Sequence, residues 1–591
     1  MAFTIGTKGS DVYTSEGVGN AMVALTALLV RGVNQYTLEQ HVMVAIDSTY
    51  HTADLENLMV LLFQTRDIRG GKGEREVFLE FFRILLEQET TKPLAMNLID
   101  LIPEYGCWND LFKLQSKSPC TTARISEIIK NQFIKDEIAL SSAEDSLPKL
   151  SLLAKWMPRE GQAGDTAMAG LLVPGQMFYA TRMRLYRKRV SALNKALQTV
   201  EIKMCSKQFA DIDPASVPGR ASKKYVKAFL NEVGTTRKGQ KSLRSHILRH
   251  PDDPDRMTCR ENFLEYFSKT AKGEVLAKGA DTLFPHEIIK KAVSMGANCD
   301  VCNAYDECNC KQYLPEKNHL IGVWKAMVEA ARAGGGLGRS LAMCDFSGSM
   351  ASSGSNGDLP YWVSMALGLL ISEVTTDEFK DTFLTFDSKP TIHMLPPGDI
   401  FDRIFSFIGR DFTIGQGLST DFQKAMDLVL ARCKEKRVKP GNEPENLIVL
   451  TDMAWDKACG SNQQGYFTEN YFRHVVKTGT WQTHVEMIRE SFKRAGEDMW
   501  GEGQGLKMPT IVIWNIAATC HDFHAQADTD GVVMLSGWSP SLFKVLQTKG
   551  VVQITPADAL RIQLENVRYD LVRQRCQAFF RGQEDTYEKI D

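Results

Sequence analysis

From residue 340 onward, short continuous apolar runs alternate with stretches whose apolar residues recur every three or four positions. A run apolar at every position is a strand buried on both faces, and helices between such strands supply the two covers, so the alternation dictates a parallel sheet in a doubly wound, Rossmann-like α/β domain. The runs predict strands over 340–344, 382–386, 447–451, 510–514 and 531–535, with helices over 361–374, 421–432, 482–495 and 540–546. Before this point the pattern differs. Over 18–333 the three- and four-residue spacing dominates and strand signals are nearly absent. Helices are expected at 74–88, 94–102, 122–138, 177–200 and 221–233, separated by Gly, Pro or Ser. Such helices form either a bundle or an irregular HEAT-like solenoid of helix pairs, the second being preferred. The run Ala333-Gly334-Gly335-Gly336-Leu337-Gly338 cannot continue a helix and marks a boundary. Three segments follow: a helical-repeat domain over 1–333, an α/β domain over 334–555, and a helix over 556–581, within 556–591, that packs back.

With 591 residues, 43% hydrophobic and 24% charged, the chain has the apolar content to build large cores, and disorder is excluded as its main state. The N-terminus lacks a basic segment followed by an apolar run, and no apolar stretch approaches the ~20 residues of a membrane span. Thirteen scattered cysteines fit a reducing compartment. These observations point to a soluble, cytoplasmic protein.

Asp345-Phe346-Ser347-Gly348-Ser349 follows the first expected strand of the α/β domain, where loops at the carboxyl ends of strands bind ligands. One carboxylate and two hydroxyls suit a hard cation such as Mg²⁺, which takes oxygen ligands and keeps several waters. The segments Gly417-Leu418-Ser419-Thr420-Asp421 and Leu450-Thr451-Asp452 stand at two further strand ends. The three segments together resemble the metal-ion-dependent adhesion site of von Willebrand A domains. That resemblance implies Asp345, Ser347, Ser349, Thr420 and Asp452 as ligands of a divalent cation with an open position for a partner's carboxylate or phosphate. Ser-His-Asp and Cys-His arrangements in convincing context are missing, so the expected role is binding, and the protein is read as a non-enzyme.

The near-neutral total, −2, conceals a polarised segment. Between 178 and 250 there are 17 Lys and Arg against 4 Asp and Glu, a net of +13. Such a block is an electrostatic footprint for nucleic acid, or else a solvated face that pairs with acidic segments elsewhere. Its first cluster is Arg182, Arg184, Arg187, Lys188 and Arg189, with Tyr179 and Tyr186 interleaved as stacking surfaces; its second is Lys223, Lys224 and Lys227, followed by Arg237, Lys238 and Lys241. Arg69-Gly70-Gly71-Lys72-Gly73 before a helix can offer backbone N–H groups plus Arg69 and Lys72 to a phosphate, or serve as a structural glycine turn. Cys299, Cys302, Cys308 and Cys310, within twelve residues, can make a tetrahedral zinc site with His286 or His319 as substitute ligands, or be free thiols.

A helical domain of about 300 residues followed by a von Willebrand A-type domain resembles the TROVE family of RNA-binding ribonucleoprotein components. In detail the chain is more similar to a related family of unknown function, through Thr65-Arg66-Asp67-Ile68-Arg69-Gly70-Gly71-Lys72-Gly73-Glu74-Arg75, Tyr105-Gly106-Cys107-Trp108-Asn109-Asp110-Leu111, Trp514-Asn515 and Ser536-Gly537-Trp538. The TROVE resemblance implies helical repeats that can close into a ring and RNA as partner; the adhesion-site resemblance implies Mg²⁺ or another divalent cation as cofactor, and the cysteine cluster allows zinc as a second metal. The rival expectation is a cation-dependent protein scaffold without RNA; a cation-using hydrolase is a third.

Overall fold

The computed structural model describes residues 3–5, 11–142, 148–233, 248–297, 314–333, 337–351, 359–386, 390–408, 422–453, 481–517, 523–546 and 554–587. By internal contacts the chain divides into two compact units, one made of 1–77 and 283–570, the other of 78–282 and 571–591.

The first unit is built on a six-stranded sheet in the order β5-β4-β3-β6-β7-β8: β3 Ser340–Asp345, β4 Thr382–Phe386, β5 Ile392–Met394, β6 Asn446–Thr451, β7 Thr510–Asn515 and β8 Val532–Ser536. All neighbours are parallel except β5, which pairs antiparallel with β4 at the edge. The expected strands are present to within a residue or two. The edge strand β5 was not legible, since its three half-buried or exposed residues carry no apolar run. A separate hairpin, β1 Phe3–Ile5 with β2 Asp11–Tyr13, was also missed.

Strands β3, β6 and β7, and the edge strand β8, are buried almost end to end, as their continuous apolar composition requires. Helix Pro360–Val374 covers β3, with Cys344 seated where Gly368 leaves room for it. Helices Pro285–Ala297 and Leu314–Ala333 pack on Pro360–Val374, and helix Ala21–Leu28 packs on β8. The glycine run at 334–336 is therefore not where the compact units part: helices on both sides of it, together with the first 77 residues, bury one sheet.

The second unit is helical. It contains Thr122–Ser141, Tyr179–Leu197, Gly219–Phe229 and Pro254–Lys272. One of its cores gathers Phe209, Val217, Phe229, Cys259, Phe263 and Phe267, with Phe229 and Phe263 stacked at 4.3 Å. The C-terminal helix expected over 556–581 is broken into Pro556–Leu564 and Asp570–Tyr587. Asn566 caps a 3-10 turn between them, and Arg568 and Tyr569 in that turn both reach Asp67.

Candidate functional site

The order of the sheet reverses between β3 and β6: from β3 the chain moves outward to β4, then returns to the other side as β6. The crevice at the carboxyl end of two such strands is where open α/β sheets place ligands. Asp345 ends β3, and Asp452 follows β6 directly. Both side chains are fully buried, as is Ser347, while Ser349 is half-buried.

The site is tightly ordered. Asp345 Oδ1 accepts from the Ser347 backbone N–H at 2.8 Å, and Asp345 Oδ2 accepts from Thr451 Oγ1 at 2.9 Å. Ser347 Oγ and Ser349 Oγ lie 3.1 Å apart. Thr451 Oγ1 also accepts from the Met453 N–H at 3.1 Å, and His524 Nε2 lies 2.7 Å from the Met453 carbonyl. These contacts hold Met453 at φ +67°, a left-handed conformation that a Met adopts only under constraint. Burial, then the neighbouring Asp452 carboxylate, push the Asp345 carboxyl up to about 7. No ion-pair partner of Asp345 lies among the described residues. Two buried carboxylates with hydroxyls alongside fit a divalent cation, which relieves both burial and mutual repulsion. Asp345, Ser347, Ser349 and Asp452 would hold it. Thr420 lies outside the described residues, and Thr451, which sequence reading left out of the site, orients the first carboxylate.

The β7–β8 half of the same sheet edge is closed by protein. Asn515 Nδ2 donates to the Ala27 carbonyl at 2.9 Å, and Ser536 Oγ reaches the Thr26 carbonyl at 2.5 Å. Lys72 Nζ donates to Thr26 O at 2.9 Å, to Ser536 O at 3.2 Å and to Ser536 Oγ. Lys72 is thus wholly buried, and its expected contact with RNA is corrected. The expectation that its loop cradles phosphate fails as well: the N–H groups of Gly71, Lys72, Gly73 and Glu74 are taken by the carbonyls of Asp67, Gln64, Asp67 and Thr65. A Cβ on Gly71 would stand 1.9 Å from the Gln64 carbonyl oxygen, which explains that glycine. Arg69 is exposed. Tyr105-Gly106-Cys107-Trp108-Asn109-Asp110-Leu111 proves to be a helix start, with Asp110 accepting from Cys107 N.

On helix Tyr179–Leu197, Arg182 donates to the Gln176 carbonyl, Arg187 pairs with Glu160, and Arg189 pairs with Glu137 and lies over the Phe133 ring. Tyr186 is buried, its hydroxyl on the Pro158 carbonyl at 2.7 Å, so it is no stacking surface. Arg184 and Lys188 are exposed and have no acidic partner among the described residues; Lys195, overlooked in the sequence, continues their face at helical spacing. Phe178 and Tyr179, 77% and 54% exposed, stand at the N-terminal end of this helix. Lys223 and Lys224 are exposed on Gly219–Phe229, with Lys224 over the Tyr225 ring, and Lys227 is half-buried. Arg237, Lys238 and Lys241 lie outside the described residues, as do Cys299, Cys302, Cys308 and Cys310. His286 is buried between Phe284 and Trp538; His319 is buried too, and its imidazole is pushed down to about 4. No described helix is long and apolar enough to cross a membrane.

Residues 339–577 match a family described as a domain of unknown function, DUF7788. An uncharacterized protein of Acanthamoeba polyphaga mimivirus is 25% identical over 504 residues, covering 83% of this chain and 76% of that one. Among solved structures, the crystal structure of the Deinococcus radiodurans Ro (Rsr) protein matches 91% of this chain and all of its own, at 12% identity and a TM-score of 0.40.

Proposed function

We propose that this protein is a non-catalytic RNA-binding protein whose helical unit carries the RNA surface and whose sheet carries a divalent-cation site of the von Willebrand A type. The observation that carries the RNA reading is the exposed row Arg184, Lys188 and Lys195, without an acidic partner among the described residues, with Phe178 and Tyr179 uncovered at one end of the same helix. Cations along a backbone path with aromatic rings beside it are what a single strand needs, each stacked base contributing about 1–3 kcal/mol. The architectural resemblance to TROVE proteins, read from the sequence, agrees with it. Mobility shifts with structured and single-stranded RNA test the proposal. Micromolar binding at low salt, weakened at least tenfold in Arg184→Glu/Lys188→Glu, is expected; millimolar binding unaltered by the exchange refutes it.

The buried Asp345 and Asp452 favour a second, compatible role. A bound cation, held by few protein ligands, would expose a coordination position to the carboxylate of a protein partner. Mg²⁺-dependent capture of such a partner, lost in Asp345→Ala, is its signature.

A further inference from the structure

At the opposite end of the sheet from the carboxylate pair, helix Trp481–Trp500 and the 501–509 segment line a solvent-open cavity of about 510 Å³, ending where β7 starts at Thr510. The size lies within the roughly 300–1,000 Å³ of small-molecule sites. Arg489, Lys493 and Lys507 line it, all exposed and none with an acidic partner among the described residues. Against these three cations stands one carboxylate, Glu497. Met508 and Pro509 form an apolar wall.

The cavity is fixed by backbone packing. A Cβ on Gly496 would lie 2.2 Å from Leu506 N, so only glycine lets the 504–506 backbone rest on the helix. The buried Glu443 carboxylate accepts from Lys507 N at 3.1 Å and from Gly441 N at 2.6 Å, anchoring the segment that presents the Lys507 side chain. Three cations set against a single carboxylate, Glu497, leave a net positive lining whose mutual repulsion a bound anion lowers.

The geometry points to this cavity as a site for a small phosphorylated ligand of mononucleotide size, its phosphate held by Arg489, Lys493 and Lys507 and its ring against Met508 and Pro509. Glu497 is placed to accept a hydrogen bond from a ligand hydroxyl or amine. None of these residues belongs to the RNA face or the cation site, so the assignment stands or falls apart from the function proposed above.

Isothermal titration of the full chain with AMP, adenosine and inorganic phosphate, in EDTA so that no divalent cation carries the phosphate, tests it. One AMP binds per chain, more tightly than adenosine or inorganic phosphate. Lys493→Ala/Lys507→Ala, which alters exposed side chains and leaves the melting temperature unchanged, weakens AMP about tenfold or more. Absence of binding at millimolar AMP, or undiminished affinity in the double variant, overturns the site. Inorganic phosphate binding as tightly as AMP overturns the role of the apolar wall.

Discussion

Lys72 meets three carbonyl or hydroxyl acceptor contacts, and its complete burial, only partly offset by the nearby Glu74 carboxylate, lowers its pKa to about 7. The unfolded chain keeps that proton up to about 10.5, the ordinary lysine value. Between pH 7 and 10 the unfolded state therefore binds the extra proton, and stability rises with pH across that window. Lys72→Met should lose this rise, seen as a shallower dependence of the denaturant midpoint on pH; parallel profiles for the two proteins would contradict it. Asp345 stands in the converse position, a buried carboxylate raised by burial and by Asp452. Asp345→Asn removes the like charge, so its melting temperature in EDTA should equal or exceed that of the unaltered chain, while the increase that Mg²⁺ gives the unaltered chain should vanish. A Mg²⁺ response retained in Asp345→Asn would place the cation elsewhere.

Elements differ in how much of them could be read in advance. The strands β3, β6, β7 and β8 were legible because a strand buried on both faces must be apolar throughout, and the loop bearing Asp345 follows from where such a strand ends. The edge strand β5 was not, since its three residues are half-buried or exposed and carry no such requirement, whereas β8, at the other edge, is buried throughout. Nor was the role of the Arg69-Gly70-Gly71-Lys72-Gly73 loop: glycines next to cations look alike whether the backbone faces a phosphate or, as here, the carbonyls of the preceding helix end. Local sequence likewise cannot show that Arg187 and Arg189 have acidic partners 27 and 52 residues away, whereas Arg184 and Lys188 have none among the described residues. The glycine loop yields a direct test. Gly71→Ala drives a methyl group into the Gln64 carbonyl and should destabilise the protein by at least roughly 1–3 kcal/mol, measured from the denaturant midpoint at constant slope. A change below 0.5 kcal/mol, within the ordinary range for surface sites, would show that the loop yields without cost.

At the scale of the whole molecule, the sheet does not belong to the C-terminal half alone. Residues 26–27, 64, 67 and 72 hydrogen-bond to 515, 536, 563 and 568, so the first 77 residues complete the unit that carries the Asp345–Asp452 carboxylate pair. This long-range closure has no local signature, which is why the boundary read at 333–334 does not divide the compact units. A fragment restricted to 339–577, the extent of the family match, exposes the β7–β8 edge and should aggregate or melt well below the full chain. Equal melting temperatures would show the N-terminal closure to be dispensable. The central claim, that RNA lies along Arg184, Lys188 and Lys195, is met most directly by the salt dependence of binding to a fluorescent single-stranded RNA. Each phosphate contact on a single strand adds about 0.7 to the slope of log affinity against log salt. The triple exchange to glutamate should therefore flatten that slope by about 2 and weaken binding at every salt concentration, whereas an unchanged slope and affinity would contradict the account.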